Sequence, residues 1–245
     1  MQTRSDPSRA RGFTMVELMV AIVIVVVLAA IAMIGYGRIR LSGNKAASIN
    51  NIRNLSAAAL AVAADHNGRF VDIHSNQAVP YRFSRTFRDD YNISRDNAYS
   101  NANDCWKTDG HDHCQDRDLW DFSGGDTVFG YACMINDQVG ANTSGWATGD
   151  FEEPDNWERI KDKVSFKEGR TTKVRWVPRR LGVEVAYPLL FMDLCRIYNG
   201  QIVGNFMKND EEPLGVHVGY LDGHIEWVDG DKMKVRYRGG ADVLW

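Results

Sequence analysis

The polarity of this chain changes twice along its length. From Phe13 to Tyr36 the sequence runs 24 residues with a single charge, Glu17. A helix rises about 1.5 Å per residue, so such a run covers the ~30 Å hydrocarbon core of a bilayer. The pattern then turns amphipathic. Ile49, Ile52, Leu55, Ala59 and Val62 recur three and four apart, which is one helical face, while Asn50, Asn51, Arg53 and Asn54 fall on others. This stripe predicts that the helix continues and packs its second half into a folded domain. Gly35, Gly37, Ser42 and Gly43 lie between the halves. Each Gly weakens a helix by up to about 1 kcal/mol relative to Ala, so a hinge and a continuous helix both fit. Asp65-His66-Asn67-Gly68 supplies the stop, with Asn or Gly suited to a left-handed cap.

After Gly68 the apolar runs become short and aromatic. Phe70–Ile73 and Tyr81–Phe83 read as strands, and residues 84–126, rich in Asp and Asn, as a long irregular loop. Thr127–Ile135 reads as one buried strand and residues 136–157 as another loop. Val183-Glu184-Val185 leads to Pro188, and Leu189–Met192 is a central strand ending at Asp193. Val216–Leu221 and His224–Val228 flank Asp222-Gly223, a two-residue hairpin signal. In that register Tyr220 faces Ile225 and Val218 faces Trp227. Val216 joins this apolar face, and His217, Gly219, His224 and Glu226 share the other. A turn at Asp229-Gly230-Asp231 leads into Met233–Tyr237, so a three-stranded antiparallel meander is expected. The predicted class is α+β: a long N-terminal helix packed on an antiparallel β-sheet head with long loops. Its segments are 1–12, 13–36, 37–67 and 68–245.

Charge adds direction to this picture. Residues 1–12 carry Arg4, Arg9 and Arg11 against Asp6, a positive leader expected to stay cytoplasmic. A secretory signal would be cut after the apolar run, but no polar cleavage region follows Ala29, Ala30 and Ala32. The Gly12-Phe13 junction precedes the run instead. Cutting there would remove the charges and keep the membrane helix on the mature chain. Within the run, a carboxylate costs about 2–3 kcal/mol near the bilayer centre and less toward the interface, so Glu17 calls for a function. The whole chain has net charge −3, and loss of the leader makes it more acidic. Arg179-Arg180 and the Lys232/Lys234/Arg236/Arg238 alternation are the basic groupings noted in the head, so no nucleic-acid partner is expected.

Gly12-Phe13-Thr14-Met15-Val16-Glu17-Leu18-Met19 resembles the processing and methylation site of type IV prepilins and of the pseudopilins of type II secretion systems. The resemblance covers Gly12 to about Ile34. It implies that a prepilin peptidase cuts between Gly12 and Phe13 and methylates the new amine of Phe13, and that Glu17 serves in assembly. A buried carboxylate needs a cation or donor, and a neighbour's freed Phe13 amine would supply one. The implied protein is a structural, non-enzymatic subunit, most like a type II secretion pseudopilin in a short periplasmic filament. It would be a single-pass inner-membrane protein with its head periplasmic or extracellular. Its partners would be the peptidase, other pilin-like subunits and the secretion or pilus machinery. A minor type IV pilin is the alternative. A membrane-tethered binding domain that never polymerises, with Trp106, Trp120, Trp146 and Trp157 forming a groove, is another.

A second, looser resemblance lies near the C-terminus. Gly215-Val216-His217 and Leu221-Asp222-Gly223-His224-Ile225-Glu226-Trp227 are similar to the His and Asp-Gly-His motif of a prepilin-like family from planctomycete and verrucomicrobial bacteria. That family spaces its first His nine residues from Asp-Gly, whereas four residues separate His217 from Asp222 here.

The remaining chemistry is sparse. Cys105, Cys114, Cys133 and Cys195 all follow the apolar helix, and an even number in a translocated domain reads as disulfides. Cys105–Cys114 with Cys133–Cys195 is the favoured pairing. Metal ligation with His111 and His113 is the rival, though the paired C-x-x-C spacing is missing. Asp116, Asp118, Asp229 and Asp231 are calcium candidates, since some type II pseudopilins hold calcium in C-terminal loops. No other cofactor is expected. His217 and His224 lie too far apart along the expected hairpin, roughly 13 Å, to share an ion. Gly-x-Ser-x-Gly, a phosphate-binding glycine loop and H-E-x-x-H are all absent from the sequence.

Overall fold

The computed structural model describes residues 13–75, 79–102, 119–122, 125–135, 150–168, 171–198, 200–209, 211–239 and 242–245. Helix α1 (Met15–Asp65) is followed by antiparallel sheets, so the class is α+β as the sequence pattern predicts. The chain divides into two compact units, Met1–Gly43 and Asn44–Trp245. The helix runs unbroken through Gly35, Gly37, Ser42 and Gly43, so of the two arrangements open to the sequence the continuous one is observed. A Cβ at Gly37 or Gly43 would meet no atom within 4 Å, so close packing within the chain does not require these glycines.

In the first unit, the described side chains of residues 13–33 are exposed all round the helix. A helix apolar on every face belongs in an apolar surrounding. By length and composition this one is a candidate membrane span.

The second unit has three layers. The head half of α1 lies on one face of a four-stranded sheet ordered β11 (Ile225–Asp229), β10 (Gly215–Tyr220), β7 (Leu189–Asp193) and β3 (Tyr131–Cys133). Ile52, Leu55, Ala59, Val62 and Ala63 fill that interface with Phe83, Phe129, Tyr131, Leu190 and Phe191. The opposite face contributes Ala132, Leu189, Met192, Val216 and Val218 to a second core. This core is closed by a five-stranded sheet ordered β4 (Asp150–Phe151), β12 (Val235–Arg238), β13 (Asp242–Leu244), β8 (Cys195–Tyr198) and β9 (Gln201–Gly204). Strands buried on both faces explain why β7 and β10 read as nearly continuous apolar runs. Asn67 and Gly68 both adopt positive φ (55° and 80°), and Gly68 N–H donates to Ala63 O at 2.7 Å, so both cap residues are used.

Several expectations are corrected. Residues 84–126 are not one loop: Ser84 and Ser94 cap two short helices, α2 (Arg85–Asp90) and α3 (Arg95–Ala98), each hydroxyl accepting from the backbone three residues on. Thr127–Ile135 is not one strand. It breaks at Phe129-Gly130 into β2 (Asp126–Val128), which pairs with β1 (Arg82–Ser84), and β3 in the four-stranded sheet. Phe70–Ile73 forms no strand, with single bridges at Arg69 and His74 on either side. Asn51, off the apolar stripe by spacing, is nonetheless buried. No three-stranded meander forms, because a 3-10 turn at Gly230–Lys232 carries the chain from β11 into β12 of the other sheet. Sequence also gave no notice of α4 (Trp157–Val164) or of the hairpin β5 (Ser165–Glu168) and β6 (Thr171–Val174).

The β10–β11 hairpin exists, but one residue out of the expected register: His217 pairs with Trp227 and Gly219 with Ile225. Tyr220 N–H bonds His224 O at 3.0 Å, and Gly223, at φ 89°, donates to Tyr220 O. Asp-Gly therefore closes a longer turn with Gly in the left-handed position, not a two-residue turn. A one-residue slip exchanges the two faces of a strand. It turns His217 and Gly219 toward α1 and sends Val216 and Val218 to the second core.

Gly219 sits at a close approach of α1 to the sheet. A Cβ there would lie 2.7 Å from Ile52 Cγ2 and 3.0 Å from Phe191 O. Gly219→Val should lower head stability by about 1–3 kcal/mol through overpacking. A urea midpoint lowered against wild type checks this, and an unchanged midpoint contradicts the packing described.

Candidate functional site

Two places hold polar groups that the fold positions with care. One is the first turn of α1. Thr14 Oγ1 accepts from Glu17 N–H at 3.2 Å, and Glu17 Oε2 accepts from both Thr14 N–H and Thr14 Oγ1–H at 2.9 Å. This is a capping box, in which the residue before the helix and the third residue within it satisfy each other's backbone donors. Glu17 is therefore solvated by its own chain, which lowers the cost of a carboxylate in an apolar helix. Both Thr14 bonds end on Oε2, and Oε1 has no partner among the described residues. The Thr-x-x-Glu spacing is the sequence signal for this reciprocal cap, which the lone charge of Glu17 overshadows. Phe13 precedes it, exposed, while Gly12 lies outside the described residues.

The other place lies in the head, where α1 meets the four-stranded sheet. Asp193, at the end of β7, has no exposed surface. Its Oδ1 accepts from Ser48 Oγ on α1 and from Asn205 Nδ2 at 3.2 Å. Its Oδ2 accepts from His217 N–H at 2.8 Å and lies 2.7 Å from His217 Nδ1. Asn51, one turn beyond Ser48, donates to Asp96 O at 2.9 Å and to the Tyr131 hydroxyl at 3.1 Å. The His217 ring meets the Trp227 ring edge-on at 4.6 Å, and Lys45 Nζ lies 3.3 Å from the Trp227 ring centroid. Burial holds the Lys45 ammonium below the usual lysine range, against the opposing pull of Asp229 and Asp193. Burial and the Asp193 charge push the Tyr131 phenol up.

Ser48, His217 and Asp193 suggest a hydrolytic triad by residue type only. The carboxylate stands between the other two, so Ser48 donates to Asp193 and not to the imidazole that would activate it. All three are buried, closed to a substrate. The group instead ties helix to sheet.

The other sequence candidates stay apart. His224 is exposed, with Nδ1 2.5 Å from Asp222 Oδ1, while Glu226 accepts from the Tyr220 hydroxyl at 3.2 Å. His217 and His224 thus have separate carboxylate partners. Asp229 accepts from Trp227 Nε1 at 2.8 Å and faces Lys232 at 3.6 Å. Among the described residues no three His, Cys, Asp or Glu side chains converge on a metal position. Asp116 and Asp118 lie outside the described residues, as do Cys105, Cys114, Trp106 and Trp146.

The expected Cys133–Cys195 disulfide does not form. Cys133 faces the helix-side core and Cys195 the other, so the sheet separates them. Trp120 and Trp157 do not share a groove either: Trp120 packs on the helix-side core, and Trp157 stacks on Trp176 at the other.

Residues 7–33 match the model of the family described as the prokaryotic N-terminal methylation motif. No curated protein and no solved structure matches the chain. The matched segment contains the Thr14–Glu17 turn and most of the apolar run, and it supports a prepilin-type, pilin-like protein. The motif implies processing by prepilin peptidase and assembly with pilin-like subunits.

Two predictions concern the head. Asp193→Ala strips the acceptor from Ser48, Asn205 and His217 together. It should cost about 3–5 kcal/mol of stability, measured by urea unfolding; a loss below about 1 kcal/mol contradicts the tie. Burial, reinforced by Asp193, pushes the Cys195 thiol up to about 12 from 9.0. The folded state thus keeps a proton that the unfolded chain releases near pH 9, so this contribution to stability holds below pH 9 and is lost as pH rises toward 12. Iodoacetamide at mildly alkaline pH should leave Cys195 unmodified in the folded protein and alkylate it in urea, as read by peptide mass.

Proposed function

We propose that this chain is a pseudopilin-type structural subunit, cut between Gly12 and Phe13, methylated on the Phe13 amine and assembled into a short periplasmic filament of a type II secretion system. The observation that carries the reading is Glu17. It is the sole charge among 24 residues of apolar helix, bonded on one oxygen by its own Thr14. Cleavage converts the Phe13 amide into a cationic amine one residue before that turn. A neighbouring subunit's amine is the natural partner for the second carboxylate oxygen, at a depth where a charge-assisted hydrogen bond is strong. Register along the filament then follows from matching one charge to one charge.

The flanking charges fit the same order of events. Arg4, Arg9 and Arg11 hold the leader on the cytoplasmic side and set a single-pass topology with the head outside. Moving such charges outward against a membrane potential costs about 2.3 kcal/mol each per 100 mV. Removing the leader therefore frees the helix to leave the bilayer. Ala21, Ala29, Ala30 and Ala32 permit close approach of neighbouring helices once packed. The head supplies lateral contacts, and its buried Ser48–Asp193–His217 group holds it to its own helix so that pull on one is transmitted to the other. The chemistry of cleavage and methylation belongs to the peptidase.

Glu17→Ala should be processed normally yet enter filaments at under about a tenth of the wild-type level, a loss equivalent to ~1.4 kcal/mol or more of assembly energy. Immunoblots of membrane and sheared-filament fractions read both steps. Wild-type incorporation of the alanine variant contradicts the pairing role.

A further inference from the structure

Just past its apolar run, α1 carries two charges that neither the cap nor the head explains. Lys and Arg beside a membrane span are biased to the cytoplasmic side, where the leader places Arg4, Arg9 and Arg11. Arg38 and Arg40 stand at the opposite end, against that bias. No Asp or Glu occurs between Glu17 and Asp65, so neither arginine has a carboxylate three or four residues away on the helix. Both are exposed, and among the described residues neither has an ion-pair partner. The next cation along the helix is arranged differently, because Lys45 Nζ lies 3.3 Å from the Trp227 ring centroid.

Helix geometry gives the two arginines one target. Each residue turns the helix by about 100°, so positions two apart stand about 200° apart, on nearly opposite sides. The Cα–Cβ bonds of a helix tilt toward its N-terminus, so both side chains lean back toward the apolar run. Long basic side chains at the end of a span lay their stems along apolar surface and hold their charged heads at headgroup level. Tyr36, 67 % exposed, lies one turn before Arg40 on the same face and supplies an amphipathic ring suited to that level. Ile39, 73 % exposed, separates the two arginines. A protein partner approaches from one side and meets one guanidinium. Lipid surrounds the helix and meets both.

We propose that Arg38 and Arg40, with Tyr36 beneath Arg40, form a collar that binds the headgroup phosphates of anionic phospholipids in the leaflet opposite the leader. The planar guanidinium fork matches two phosphate oxygens. An anionic lipid brings that phosphate without a cation of its own, whereas a zwitterionic one carries a competing ammonium. The collar sets the depth of the helix in the bilayer, and its lipids must be released when the subunit leaves. The inference rests on the single-pass placement proposed above and is independent of the Glu17 pairing.

The full-length protein is reconstituted into phosphatidylcholine vesicles that contain a trace of spin-labelled phosphatidylglycerol or spin-labelled phosphatidylcholine. The fraction of label immobilised at the protein gives the lipid preference by electron paramagnetic resonance. The native leader is kept throughout, so its arginines contribute equally to every protein compared. Wild type should prefer phosphatidylglycerol about fivefold for each arginine-held lipid, the equivalent of ~1 kcal/mol. Arg38→Gln with Arg40→Gln should lower the preference at least about twofold, and Arg38→Lys with Arg40→Lys should retain most of it. Arg53→Gln, in the head half of α1, should leave it unchanged, as should excess inorganic phosphate at constant ionic strength. Salt near 1 M, where the screening length falls to about 3 Å, should remove it. An equal preference in wild type and the glutamine pair, an equal drop in Arg53→Gln, or loss to inorganic phosphate overturns the collar. A protein that does not float with the vesicles overturns the membrane placement itself, and the collar with it.

Discussion

A carboxylate that is the sole charge from Phe13 to Tyr36 calls for partners beyond water wherever that helix is buried in an apolar medium. Glu17 meets that demand in part through Thr14, whose backbone and hydroxyl donors both reach Oε2. The same two residues settle the start of the helix, because the capping box consumes backbone donors that lipid could not satisfy. Half of the carboxylate's bonding capacity remains. On the proposed function that remainder is filled only by an amine that proteolysis creates, so processing and assembly are coupled by the solvation of one side chain. On the same proposal the basic leader has the opposite logic: it would set orientation first and be removed before the helix moves outward.

The head is built around a second buried carboxylate that is handled differently. Asp193 receives Ser48, Asn205 and both donors of His217 at the crossing of helix and sheet. Apolar packing by Ile52, Leu55 and Ala59 supplies adhesion there, but it is tolerant of sliding. A polar group with fixed partners is not, and this one fixes the helix against β7 and β10. Gly219 lets the backbone come close enough for those bonds to form.

Much of this was legible in the residues. The apolar run, the 3–4 stripe of α1, the Asn67-Gly68 stop, the strand at Leu189–Asp193 and the antiparallel head all follow from periodicity and cap chemistry. The hairpin at Asp222-Gly223 was visible, but its register was not, because Asp-Gly serves two turn lengths and only the hydrogen bonds of Tyr220 distinguish them. With the register went the placement of His217, whose burial beside Asp193 no local pattern announces. Ser48 falls four residues before Ile52 on the apolar face and Asn51 beside it, and neither placement has a reason until the partners, 145 and 80 residues away, are known. The cysteine pairing failed for a related reason: an even number of thiols says nothing about which side of a sheet each one faces. The Thr14–Glu17 cap needed only a three-residue spacing, and it was obscured by attention to the charge alone.

The central claim is that Glu17 acts through an amine made by cutting between Gly12 and Phe13. Tandem mass spectrometry of the protein isolated from its native membranes addresses it most directly. The account predicts an N-terminal peptide that begins at Phe13 and carries one methyl group on its α-amine. A mature chain that retains Arg4, Arg9 and Arg11 ahead of Phe13 would contradict it.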